Sequence, residues 1–249
     1  LYFNGCMVGK VAIQKYMKQS SLALNILLIF IVPVFLITSD VRIAFNSVML
    51  YEYGFDKYDV SRETGLSKDT LMEVAFDIKD YLNSNEASLD VKVMEGGQNI
   101  DLFNEREIEH MKDVKGVLSK MNKVQENSGL YLLIYLFVSM VRNKFRWPEI
   151  FVSSVVRGCL LTLILVLTLA IGIFIGFDSL FEQFHVLLFE AGTWTFDPRT
   201  NYLTRLFTEG FFMDASLLIG VSVFIQASLI YCALWLAKRF LSPNSVSRD

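Results

Sequence analysis

The chain has 249 residues, 53% of them hydrophobic and 14% aromatic, with a mean hydropathy of +0.41, too apolar for an ordinary soluble domain and characteristic of the membrane class. A net charge of −3 carries no basic footprint, so no nucleic-acid partner is expected. Of the three cysteines, Cys6, Cys159 and Cys232, the last two lie inside apolar runs, which leaves no external disulfide framework.

Leu1–Gly5 resembles a protease-site remnant of an expression tag, with Asn4 where such a site has Gln. Residues 1–6 are therefore set aside, and Met7 reads as a native start. Residues 7–19 form the N-terminal arm. Residues 20–38, SSLALNILLIFIVPVFLIT, are the first predicted span, uncharged and long enough to cross about 30 Å of hydrocarbon. No small-x-small cleavage site follows, so the segment reads as an uncleaved helix and not as a signal peptide, with Pro33 a point of kinking.

Residues 39–127 are polar and mixed, and predict a small α+β cap. Ser67 caps a helix whose apolar face is Leu71, Val74, Ile78 and Leu82, ended by Asn83–Asn85. Leu89–Met94 alternates as a strand does, and Glu95–Gln98 makes a hairpin turn into Asn99–Phe103. Asn104–Leu118 is an amphipathic helix: Asn104 is its N-cap, Glu107 completes a capping-box-like start, and Ile108, Met111, Val114 and Leu118 share one face. His110, one of two histidines in the chain, borders that face with Glu107 at i−3 and Asp113 at i+3. A titratable ring between two carboxylates suits an active-site base, and it equally describes a solvated surface histidine.

Residues 128–142 are the second span, its helix starting earlier and projecting outward. Residues 143–148 are a tight basic turn with an interfacial Trp147, and residues 149–177 the third span, with Arg157 able to snorkel. Residues 178–210 form a second, shorter exterior segment, residues 211–237 the fourth span and residues 238–249 a tail. Basic residues near the short ends, Lys10, Lys15, Lys18, the Arg142–Arg146 turn, Lys238 and Arg239, oppose only Arg199 and Arg205 on the other side. This predicts cytoplasmic termini and places both histidine-bearing segments outside the cell. The predicted fold class is an α-helical membrane protein: four transmembrane helices with a small extracytoplasmic α+β cap.

The second histidine closes a run in which Phe177, Phe181, Phe184, His185 and Leu188 share a helical face. A histidine so placed is usually a satisfied core residue. The turn-forming stretch Gly192–Pro198 then brings an indole, Trp194, and a carboxylate, Asp197.

Phe103–Lys115 (FNEREIEHMKDVK), Phe177–His185 (FDSLFEQFH) and Gly192–Pro198 (GTWTFDP) together resemble the bacterial lipoprotein intramolecular transacylase family, a family of four-span membrane proteins. The resemblance extends to the order of spans and cap. It implies an acyltransferase of the cytoplasmic membrane that needs no cofactor or metal. Such an enzyme moves the sn-2 acyl chain of a diacylglyceryl-modified lipoprotein to the α-amine of its own N-terminal cysteine, giving the lyso form. It also implies that His110 and His185 are the essential pair, with the lipoprotein and membrane lipid as partners.

The substrate in such a reaction supplies both amine and ester, which agrees with a sequence lacking GxSxG. A base must deprotonate the amine and an acid must protonate the departing glycerol oxygen. With Asp113 and Glu107 beside it, His110 is the expected base. His185, in aromatic surroundings that disfavour charge, is the expected donor to the glycerol oxygen or oxyanion. Arg42 suits an oxyanion contact or a snorkelling interfacial role. Asp178 is an N-cap or an orienting carboxylate, Trp194 a pocket wall or an interfacial anchor, and Asp197 a turn former before Pro198. Tyr51 and Tyr53 are further cleft candidates that nothing singles out. Two rival readings remain: a metal-dependent hydrolase, weakened by the lack of HExxH, and a non-enzymatic exterior sensor or partner-binding cap.

Overall fold

The computed structural model describes residues 3–95, 97–142, 147–190 and 192–241. Along the chain it has α1 (Phe3–Asn46), α2 (Val48–Lys57), α3 (Val60–Thr64), α4 (Lys68–Asn83), β1 (Lys92–Glu95), β2 (Gln98–Asp101), α5 (Glu105–Arg142), α6 (Trp147–Leu188), α7 (Tyr202–Leu206) and α8 (Glu209–Leu241). Residues 143–146 of the expected basic turn, and the tail from residue 242, lie outside the described residues.

Among the described residues, four helices are long and apolar enough to cross a membrane: α1, α5, α6 and α8. Each contains a run free of acidic and basic side chains, at residues 19–39, 127–141, 158–177 and 215–237. Hydrocarbon accepts such runs because a helix satisfies every backbone group internally. The helices extend beyond these runs. The His110 helix and the second span are one unbroken α5, and α1 runs through Pro33 to Asn46.

The chain divides into two compact units. The first holds Leu1–Leu36, Gln125–Val166 and Val223–Asp249. Small residues let its helices approach closely: a Cβ on Gly158 would stand 2.7 Å from Val32 Cβ, and one on Gly129 would stand 3.0 Å from the Phe35 ring. The Tyr131 hydroxyl donates to the Leu24 carbonyl (2.9 Å) and the Tyr135 hydroxyl to Asn25 Oδ1. Leu133, Phe137 and Val141 face outward, as lipid-facing side chains do.

The second unit, Ile37–Val124 with Leu167–Ser222, contains both histidines. Its core gathers Leu50, Tyr51 and Phe55 of α2, Leu71, Val74 and Ile78 of α4, and Leu203 and Leu206 of α7, among others. As expected, the Ser67 hydroxyl caps α4 by accepting from the Thr70 N–H (3.2 Å). The hairpin pairs antiparallel from Lys92↔Asp101 to Glu95↔Gln98. Asp214 of α8 accepts from Lys57 Nζ (2.6 Å), the Tyr58 hydroxyl (2.8 Å) and the Tyr53 hydroxyl (3.3 Å), tying α2 to α8. Tyr51 is buried against Phe207 and Phe211, with its hydroxyl on the Phe45 carbonyl and its pKa pushed up to about 12 by burial. Tyr51 and Tyr53 are therefore packing and tethering groups.

Candidate active site

The site begins at the N-terminus of α5. Asn104 Oδ1 accepts from the Arg106 and Glu107 N–H groups, and Glu107 Oε2 accepts in return from the Asn104 N–H (3.0 Å), a reciprocal capping box. Glu107 Oε1 reaches across to accept from the Leu203 N–H (2.8 Å) in the first turn of α7. The N-cap of α7, Asn201, makes no side-chain cap of its own, so one buried carboxylate secures two helix starts.

His110, one turn further on, is 7% exposed. Its ring lies 4.9 Å from Phe189 and 5.5 Å from Phe196, centroid to centroid, and its buried Nδ1 has no hydrogen-bond partner among the described residues. The expected carboxylate support is absent. Glu107 is committed to backbone N–H groups, and Asp113 is half-buried with no hydrogen bond to either histidine. An i±3 spacing brings residues to neighbouring faces of a helix without making their polar atoms meet.

The other half of the site is delivered by a break in α6. Gly176 has extended backbone (φ −177°, ψ 84°) inside the helix, dividing a spanning part from a following segment, residues 177–188. The turn folds Leu180 back until its Cδ1 would stand 3.1 Å from a Cβ on Gly172. His185, 8% exposed, sits on the far segment. Its Nδ1 lies 2.7 Å from the Phe181 carbonyl oxygen. Because a carbonyl only accepts, Nδ1 carries the hydrogen and Nε2 carries the lone pair. Phe181 (4.2 Å), Trp194 (4.9 Å), Phe189 (5.4 Å) and Phe184 (5.5 Å) box the ring.

The two imidazoles face each other at 6.2 Å between centroids, with planes 23° apart. Both stand outside the charge-free runs. Burial pulls the His110 pKa down to about 4, helped by repulsion from a charged His185. Burial also lowers the His185 pKa, and the Phe181 carbonyl partly offsets this by favouring the protonated ring. Both rings are thus neutral near pH 7. Among the described residues, no three His, Cys, Asp or Glu side chains gather where they would hold one metal ion.

The remaining expected residues divide. Trp194 stands beside His185, with ring centroids 4.9 Å apart. Asp197 is a turn residue: it accepts from the Arg199 backbone and guanidinium, and its carbonyl closes the turn at Asn201. Asp178 is exposed and lies beside Glu209 at the start of α8, and the Glu209 pKa is raised by burial and by this neighbouring carboxylate. Arg42 lines a different recess, with Asn46, Asn83 and Asn122. Sequence reasoning missed Phe189, Phe196 and Arg106. The Arg106 guanidinium donates through Nη2 to the Gly192 (2.9 Å) and Thr195 (3.3 Å) carbonyls and lies over Phe196, clasping the loop that carries Trp194. The available signals were a four-residue step from His185 to Phe189 and the inclusion of Arg106 and Phe196 in the first and third of the motif blocks.

A pair of neutral, desolvated imidazoles, one with a lone pair held in a fixed direction, is equipped to move a proton between two oxygen or nitrogen atoms of a bound molecule. Comparison with known proteins gives the chemistry a class. A family model described as lipoprotein intramolecular transacylase Lit matches residues 26–212. The fold is similar to that of the membrane integral lipoprotein intramolecular transacylase of Bacillus cereus, with a TM-score of 0.75 and 20% identity over 90% of this chain and 99% of that one. A structure of the same protein with a histidine-to-alanine substitution gives 0.71 and 20% identity over 94% and 100%. An uncharacterised protein of Aquifex aeolicus is 24% identical over 219 residues, 88% of this chain and 96% of its own.

Proposed function

The chain belongs to the lipoprotein intramolecular transacylase family and is a multi-pass membrane acyltransferase; from that premise we propose that it moves the sn-2 acyl chain of a diacylglyceryl-modified lipoprotein onto the α-amine of that lipoprotein's N-terminal cysteine. The observation that carries the catalytic assignment is the facing pair, His110 and His185, in its aromatic box. The site lies on the extracytoplasmic side with both termini cytoplasmic, a reading supported by the lysines and arginines near the short ends.

The roles of the histidines exchange relative to the sequence expectation. His185 is the base: its Nδ1–H is held by the Phe181 carbonyl, so Nε2 presents its lone pair and the resulting imidazolium keeps a partner. His110 lacks such a partner. An N–H at its buried Nδ1 would go unsatisfied, so the hydrogen belongs on Nε2, where it serves the oxyanion.

The neutral α-amine attacks the sn-2 ester carbonyl, forming the N–C bond. His185 Nε2 takes an amine proton while His110 Nε2–H stabilises the oxyanion. The tetrahedral centre then expels the glycerol oxygen, which receives the proton from His185. The amide is made, the ester C–O bond is broken, and both rings return to their starting state. Amine and ester belong to one substrate, so holding them at van der Waals distance supplies much of the rate.

The test is the intact mass and fragmentation of a lipoprotein N-terminal peptide from cells expressing the chain, His110→Ala or His185→Ala. An N-acyl, monoacylglyceryl peptide made by the parent and lost in both variants at equal protein level supports the reading. A diacylglyceryl peptide with a free amine in every case overturns it.

A further inference from the structure

The segment of α6 beyond Gly176 has an apolar surface that starts at the histidine enclosure, with Phe181 and Phe184, and continues past it to Leu187 and Leu188. Going round the helix from His185 at ~100° per residue, Phe181, Leu188, Phe177, Phe184, Leu180 and Leu187 follow in turn. The opposite direction meets Asp178, Glu182, Val186 and Ser179. One side is an apolar arc, the other is largely polar, and His185 stands at their border. Part of the arc is covered, Phe181 by Phe212 and Leu180 by the Gly172 turn, and the rest is open: Leu187 is 82% exposed, Phe184 53% and Leu188 38%.

The occupant of that arc follows from what it adjoins. Phe174 and Ile175, the last side chains before the break, are also exposed, and they end the charge-free run 158–177 that crosses the bilayer. A twelve-residue segment reaches only about 18 Å from that point, so its exposed leucines and phenylalanine continue a surface already in lipid. An amphipathic helix of this kind settles with its apolar face at the boundary of headgroups and acyl chains. Glycerol esters lie at the same boundary.

We propose that residues 177–188 form an interfacial lipid-binding surface, seated in the leaflet from which α6 emerges, that sets His185 at the depth of the glycerol esters. This rests on the transacylase reading for its purpose, but its geometry is testable without turnover. Lipid substrate then meets the histidines by lateral diffusion along the Phe184–Leu187 face, and its ester need not leave the membrane.

The experiment reconstitutes the full chain in lipid nanodiscs containing a phospholipid with a diazirine high on its acyl chain, irradiates it and maps adducts by peptide mass spectrometry. A water-soluble diazirine is used in parallel. Lipid adducts on Phe184 and Leu187 as well as on Phe174 and Ile175, with aqueous adducts on Ser179 and Gln183, are expected. Lipid adducts that stop at Ile175, with Phe184 and Leu187 labelled from water, overturn the proposal. So does protection of Leu187 by cross-linking to a second copy of the chain.

In proteoliposomes, Leu187→Asp is expected to lower acyl transfer about tenfold and to remove the lipid adduct at Phe184, while Leu187→Phe preserves both. A Leu187→Asp variant that keeps its lipid adducts and its rate counts against the proposal. Lipid labelling at Phe184 and Leu187 in a parent chain that transfers no acyl group leaves the surface standing and removes the transacylase reading.

Discussion

The imidazoles of His110 and His185 face each other 6.2 Å apart within a shared aromatic enclosure, Phe189 touching both. Among the described residues, neither ring has a carboxylate on a ring nitrogen. One is anchored by a main-chain carbonyl and the other has no anchor at Nδ1. A pair built in this way gains its directionality from backbone geometry and its neutrality from burial.

If the two rings act as one device, removing either removes the proton path. His110→Ala and His185→Ala should each lower N-acyl peptide formation by about 10²–10⁴-fold, and the double variant should fall no further than the worse single one. The rate per folded molecule of reconstituted protein measures this. Losses that multiply in the double variant would mean that the histidines act independently.

Burial of His110 also couples pH to stability. The ring binds a proton at about 4 in the folded chain and near 6.5 when unfolded. Between those values the unfolded state holds more protons, so stability rises with pH. The contribution is complete above about pH 6.5 and is lost as pH falls toward 4. It amounts to on the order of 3 kcal/mol. His110→Phe, which suits the aromatic enclosure, should flatten the fall in thermal midpoint between pH 7 and pH 4.5 relative to the parent. An equal fall in both would show that His110 is not the group responsible.

Much of this was legible in the sequence, for identifiable reasons. The α4 face, the capping box at Asn104 and Glu107 and the long apolar helices follow from local spacing, which the folded chain keeps. What spacing does not carry is where a side chain goes once two local arrangements compete. Three residues from His110, Glu107 reads as its neighbour. It points instead to Leu203, a partner visible only after α7 packs against α5. Gly176 reads as one more small residue in an apolar run, yet its extended backbone delivers His185. Arg106 looks like a solvated first-turn cation until the 192–196 loop folds over it.

The placement of Glu107 has a measurable consequence. Glu107→Ala leaves the buried Leu203 N–H and the part-buried Asn104 N–H without their acceptors, a cost of about 2–3 kcal/mol. Denaturation in detergent should show that loss, with Glu107→Gln falling between variant and parent because one oxygen is retained. Turnover per folded molecule should drop far less than in His110→Ala. Full loss of turnover at unchanged stability would instead put Glu107 in the chemistry.

Arg106 is the residue through which loop and helix are registered. Its two bonds to carbonyls and its position over Phe196 hold Trp194 against His185 and Phe196 against His110. Arg106→Ala releases that loop while leaving both rings and the Glu107 cap in place. The expected result is a fall in kcat/KM of about tenfold with little change in thermal midpoint, since the guanidinium is exposed and its bonds are worth ~1–2 kcal/mol. Arg106→Lys should recover only part, because an ammonium does not reproduce a planar fork stacked on a ring. Quenching of Trp194 by acrylamide, in a chain where Trp147 and Trp235 are replaced by Phe, reports the loop directly. It should rise in Arg106→Ala and fall back partway in Arg106→Lys. Unchanged quenching with lost activity would mean that Arg106 touches substrate and does not act through the loop.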